Sequence, residues 1–118
     1  MPISLKRAYE KPVPDDGYRV LVDRLWPRGV SREEARLDEW LKEAAPSNQL
    51  RKSFHADPSD WDAFRTSYLS ELEHHRQQLK QLAQRAEKER VTLVFSARDQ
   101  VRNNAAVLKE YLEGLAAD

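Results

Sequence analysis

The 118-residue chain contains no cysteine. That removes disulfides, thiolate nucleophiles, iron–sulfur clusters and cysteine zinc sites together. Glycine is nearly as scarce, with three residues. Neither the GxGxxG of dinucleotide-binding folds nor the GxxxxGK[ST] of phosphate loops is present. No apolar stretch approaches the roughly 18 residues that span a bilayer, and the opening MPISLKRAYEK has no apolar run of signal-peptide type. Charge of one sign is also missing. Twenty Lys and Arg face twenty Asp and Glu, for a formal net charge of zero. A dedicated nucleic-acid binder usually carries a basic excess, although a local basic cleft stays open to this chain. There is no repeat and no low-complexity tract. The expectation is a cytoplasmic protein with no membrane contact, folded as one domain over residues 1–118, since this length suits one core and not two.

What is present organises around Tyr18 to Gly29, YRVLVDRLWPRG. Ile3 and Leu5 alternate with polar neighbours as a short strand, and Glu10 to Gly17, rich in Pro and Asp, reads as a loop. Arg19 to Leu25 reads as a buried strand that Trp26-Pro27 ends. Ser31-Arg-Glu-Glu34 has the form of a capping box opening a short helix. Leu37 to Ala45 fits either a short strand over its first half or a helix. Ser47 is placed to cap a helix running to about Phe54. Asp57-Pro58-Ser59-Asp60 then separates it from a long amphipathic stretch, with Trp61, Phe64, Tyr68, Leu72, His75, Leu79, Leu82 and Ala86 on one stripe. As a straight helix from Ser59 to Glu89 it would measure roughly 45 Å, too long for a domain this size, so a bend or a protruding end is expected. Val91 to Phe95 is an apolar strand of the kind parallel sheets bury on both faces. Ser96 to Asp99, spaced as a capping pair, leads into a final helix. The pattern predicts an α/β fold: a single three-layer domain with a small, mostly parallel sheet flanked by helices.

In such sheets ligands bind beyond the carboxyl ends of the strands, which is where this sequence turns polar. Arg24 and Arg28 offer forked donors to a phosphate or carboxylate. Trp26 offers an apolar wall, and Gly29 allows a positive φ or close approach. The alternative for each arginine is an ordinary ion pair, such as Arg24 with Asp38. Asp23 is either a general base or, the plainer reading, an orienter of Arg19 or Arg24. Ser47 at a helix start, with Arg51 and Lys52 one turn on, suits an anion; its plain alternative is a simple N-cap. Ser96 and Asn103 are placed to orient a ligand. Asn103 and Asn104 are poor helix formers, so one of them is expected to bond something specific, ligand or loop. His55 with Asp57 lacks a third ligand at metal-binding spacing, and His75 reads as a core histidine. No cofactor and no metal are expected.

The phrases KRAY, DGYRVLVDRLWPRG, DEWLKEAAPS, LRKSFH and TLVFSA, followed by Asn103 and AVL, resemble the YeaO-like family of small bacterial proteins, from about Lys6 to Leu112. That family lies within a broader domain family of unknown function and implies no established activity. Some members carry a porphyrin methyltransferase label, but the glycine-rich loop for a methyl-donor nucleotide is missing here. The resemblance favours a strand at LDEW. Longer relatives carry a Cys-His-Arg phrase near the region of Arg102 to Asn104, and this chain has neither that Cys nor that His.

Three functions follow. The first is a cleft lined by Arg24, Arg28 and Arg51 that binds a small anionic, phosphate-bearing ligand, with Trp26, Ser47, Ser96 and Asn103 around it. Asp23 is its candidate catalytic residue should the protein be an enzyme. The second is a nucleic-acid module using the same basic cleft together with Arg7, Arg19 and Lys52, and with Trp26 or Phe54 stacking on a base. The third is a non-catalytic protein-interaction domain docking through the long helix. The oligomeric state is left open.

Overall fold

A computed structural model describes residues 3–116. Four strands, β1 (Ile3–Arg7), β2 (Tyr18–Leu21), β3 (Glu39–Trp40) and β4 (Val91–Phe95), form one sheet in the order β1-β4-β2-β3. Every pairing is parallel, so all four carboxyl ends open on the same side. The helices are α1 (Arg32–Ala35), α2 (Asn48–Ala56), α3 (Trp61–Glu73), α4 (Arg76–Ala86) and α5 (Asn104–Ala116). The α/β class and the parallel sheet expected from the sequence are both present.

Alternation along the strands decides the layers. Val20, Val91, Leu93 and Phe95 join Phe64, Tyr68, Leu72, Leu79, Leu108 and Leu112 in the main core, beneath α3, α4 and α5. Leu21 and Val94 point to the opposite face, where Trp26, Leu37 and Trp40 cover them. Arg19 also lies on that face, only 4 % exposed. Its guanidinium donates to Asp16 Oδ2 at 2.7 Å and, from α1, to the Ala35 carbonyl at 3.1 and 2.8 Å.

The long amphipathic stretch is not one helix. It breaks at His74–His75, where the N–H groups reach back three residues to Glu71 and Leu72. The longest dimension of the fold is 38 Å, so an unbroken rod of roughly 45 Å would overhang the sheet. The stripe continues through the break because Tyr68, Leu72, Leu79 and Leu82 all reach the same core. Other local signals hold. Ser31 and Glu34 exchange capping-box bonds. Ser47 caps α2 by accepting from Leu50 N–H at 3.1 Å. The strand at LDEW exists but is two residues long. β2 is shorter than the expected Arg19–Leu25, ending at Leu21, after which Val22 makes one more bond, to the Val94 carbonyl.

Gly17 launches β2. It has φ +64°, and a Cβ there would collide with the Arg90 carbonyl oxygen. That carbonyl accepts the first cross-sheet bond, from Tyr18 N–H at 2.9 Å. Only a residue without a side chain lets the two backbones meet so closely.

Candidate functional site

A cavity of about 770 Å³ lies beyond the strand ends, within the range of about 300–1,000 Å³ typical of small-molecule sites. Segments following all four strands build it. Tyr9 comes from the end of β1, Asp23 to Arg28 from the turn after β2, Pro46 and then Arg51, Phe54 and His55 of α2 from beyond β3, and Ser96 to Asn104 from beyond β4.

Asp23 is the tie of this region. Its Oδ2 accepts from the Ser96 N–H at 2.9 Å and the Ser96 hydroxyl at 2.7 Å. Its Oδ1 accepts from the Asn104 amide at 2.9 Å, and that amide also donates to the Val22 carbonyl at 3.0 Å. The Asp23 carbonyl accepts the Trp40 indole N–H at 2.7 Å. One carboxylate thereby joins the β2 end, the β4 end and the start of α5. This corrects the expectation that Asp23 orients Arg19 or Arg24. Arg19 is held by Asp16 and α1 on the far face, and Arg24 turns to carbonyls instead.

Arg24 donates from Nε to the Pro46 carbonyl and from Nη2 to the Ala45 carbonyl, each at 3.2 Å. These bonds anchor the turn before α2 and leave Nη1 available. The alternative pair with Asp38 does not form, because Asp38 accepts the Arg19 backbone N–H at 2.8 Å. Arg51 donates to the Asn48 side chain at 3.3 Å, while its Nε is buried without a partner. Arg28, Arg98 and Arg102 are exposed at the mouth. None of the five cavity arginines forms a salt bridge among the described residues. Two aspartates share the lining, Asp23 and Asp99. Asp99 is held below the usual carboxylate range by the backbone N–H groups of Arg102 and Val101, with the nearby Arg102 charge adding to the effect.

Trp26 lines the cavity. Its indole N–H donates to the Val30 carbonyl at 2.6 Å. Its ring meets Trp40 edge-on at 5.5 Å and lies 5.4 Å from the Arg32 guanidinium. Gly29 takes φ +78°, and a Cβ added there would meet nothing within 4 Å. It therefore serves the turn's conformation and not a close approach.

Ser47 is not among the cavity residues. Its hydroxyl donates to Glu71 Oε2 at 2.6 Å and its N–H to Glu71 Oε1 at 2.9 Å. The amino end of α2 does hold an anion, as such ends favour, but the anion is the protein's own carboxylate from α3. Lys52 is exposed and also lies outside the cavity lining. Ser96 and Asp99 do not cap α5 as expected. Asp99 Oδ1 closes its own turn by accepting from Val101 and Arg102 N–H, each at 2.9 Å. The cap is Asn103, 2 % exposed, whose Oδ1 accepts from Ala106 N–H at 2.8 Å while its amide donates to the Asp99 carbonyl at 2.9 Å. The bonding expected of the asparagines is therefore to loop and strand.

The structure thus gathers Asp23, Arg24, Trp26, Arg28, Arg51, Ser96 and Asn103 around one cavity and leaves Ser47 out. Tyr9 joins them; in the sequence it ends the KRAY phrase and closely follows the first strand, where the strand-end rule points. Arg98 and Arg102 carry no local signal beyond their charge. Among the described residues no group of three His, Cys, Asp or Glu is arranged to hold a metal, and no helix is long and apolar enough to cross a membrane.

Over residues 2–118 the chain matches a family described as the inactive DUF488-N3 subclade. The chain belongs to that family. It is 48% identical over 115 residues to the uncharacterised protein YeaO of Escherichia coli, covering 98% of this chain and all of the relative. It is also similar to two uncharacterised mycobacterial proteins, Mb3100c of Mycobacterium bovis and Rv3073c of Mycobacterium tuberculosis. Each is 40% identical to this chain over 112 residues, covering 95% of it and 94% of the relative. No solved structure matches the chain.

Proposed function

We propose that this protein binds a small anionic, phosphate-bearing ligand in the cavity beyond its strand ends, and binds it without turning it over. One observation carries the reading: five arginines line one cavity and none is neutralised by a carboxylate in a salt bridge among the described residues. Asp23 and Asp99 share the lining but pair with none of these arginines, and guanidinium groups free of a salt bridge can offer forked, charge-assisted hydrogen bonds to an anion. The absence of turnover rests on two points. The Asp23 carboxylate is committed to Ser96 and Asn104 on both oxygens, and the family is described as an inactive subclade.

Thermal denaturation with phosphorylated metabolites, on wild type and Arg51→Gln, tests the proposal. A ligand at 100 times its Kd adds about 2.7 kcal/mol to stability, roughly 10 °C in Tm for a chain this size. The expected result is such a shift in wild type and its loss in Arg51→Gln. A wild type that no phosphorylated compound stabilises contradicts the reading.

A further inference from the structure

We infer that the anion is carried by a nucleotide: an aromatic base on a phosphate-bearing sugar, free or at the 5′ end of a single strand. This rests on the anion-binding reading above and narrows its ligand. Three of the cavity's neutral polar side chains, Ser96, Asn103 and Asn104, are already engaged. The Ser96 hydroxyl goes to Asp23, the Asn103 amide to the Asp99 carbonyl and its oxygen to the α5 cap, and the Asn104 amide to Val22 and Asp23. A polyhydroxylated sugar phosphate would find few hydrogen-bond partners there beyond the guanidinium groups, His55, the Tyr9 hydroxyl and Asp99. The rest of the lining is apolar. Tyr9, Leu25 and Phe54 all face the cavity, with Tyr9 50% and Leu25 58% exposed.

Tyr9 is braced for stacking. The Arg7 guanidinium sits 5.2 Å from its ring centroid, and Arg7 is itself fixed by the Ala97 and Ser96 carbonyls at 2.8 and 3.1 Å. Phe54 is stacked on Phe64, also a lining residue, 4.5 Å away. Aromatic platforms beside arginines are how proteins hold nucleotides without reading a base sequence. The arginines fall into two zones. Arg24 and Arg51 are half-buried, while Arg28, Arg98 and Arg102 stand at the mouth. One phosphate engages the inner pair. The outer three suit further phosphates, of a polyphosphate or of a strand leaving the mouth.

Calorimetric titration of the full chain with the four ribonucleoside 5′-monophosphates, ribose 5-phosphate and inorganic phosphate tests this. At least one mononucleotide should bind ten-fold or more tightly than ribose 5-phosphate. Comparable affinities overturn the inference while leaving the anion site standing, and no binding by any of these compounds overturns both. Tyr9→Ala, at an exposed position, and Phe54→Leu, which keeps an apolar side chain in the packing, locate the ring. At least one of them should weaken nucleotide binding about five-fold or more while inorganic phosphate binds as before. If neither does, the inference fails. A 5′-phosphorylated tetra-adenylate and its unphosphorylated form distinguish the sources. Tighter binding of the phosphorylated strand than of the mononucleotide points to a strand end, tighter binding of the mononucleotide points to the free ligand, and equal binding of both strands overturns the placement of a 5′-phosphate at the inner arginines.

Discussion

Asp16 is the residue on which the far face of the sheet depends. Burial alone would raise its pKa. The Val13 N–H at 3.0 Å, Lys6 at 3.1 Å and Arg19 at 2.7 Å outweigh that and hold it below the usual carboxylate value. A carboxylate whose pKa is depressed by folding stabilises the native state above its unfolded pKa, about 3.9, and that contribution disappears as pH falls through the lower folded value. Wild type should therefore lose stability as pH drops below about 4, and Asp16→Asn should lose less over the same range. Removing the charge also leaves the buried Arg19 guanidinium without a counter-charge, so Asp16→Asn should cost about 3–5 kcal/mol near neutral pH. Urea denaturation at pH 7 and pH 3 measures both effects. A variant as stable as wild type would mean that Lys6 and Arg19 do not depend on this carboxylate.

At the scale of elements, the segments after the strands matter more than the strands. Asp23 holds three of them at once, so Asp23→Ala should release Ser96 and Asn104, loosen the 96–103 segment and cost about 2–3 kcal/mol, as charged hydrogen bonds do. Faster amide exchange at residues 96–103, with the β4 amides unchanged, is the expected signature. Equal exchange in the two proteins would show that the tie is dispensable. The elements themselves are legible in the sequence because their causes are local: the apolar run Val91–Phe95, the capping box at Ser31, the cap at Ser47 and the stripe through α3 and α4. The segment from Ser96 to Asn103 is less legible. Ser-x-x-Asp is the same signal whether it caps a helix or closes an isolated turn. What decides between them is Asp23, 73 residues away, which claims Ser96. Ser47 misleads for the same kind of reason, since Glu71 lies 24 residues further along and nothing nearby announces that it fills the helix end.

Over the whole molecule, a net charge of zero conceals an uneven distribution. Four parallel strands send their carboxyl ends to one side, and five arginines from loops and α2 converge there. Arg19, one of the residues considered for a nucleic-acid cleft, is instead buried beside Asp16, and Lys52 stands apart. The basic character of that cleft is confined to one cavity and its mouth, a distribution better matched to a compact anionic ligand than to a long duplex. An anion bound in this cavity would contact its arginines. Arginine Nε–Hε resonances read it directly, followed by NMR while pyrophosphate is added in low-chloride buffer. Anion binding there should give saturable shifts at Arg24 and Arg51, with Arg65 and Arg85, which pair with Glu110 and Glu89 on the outer surface, staying in place. Unchanged Arg24 and Arg51 signals, or equal drift at all four arginines, would contradict it.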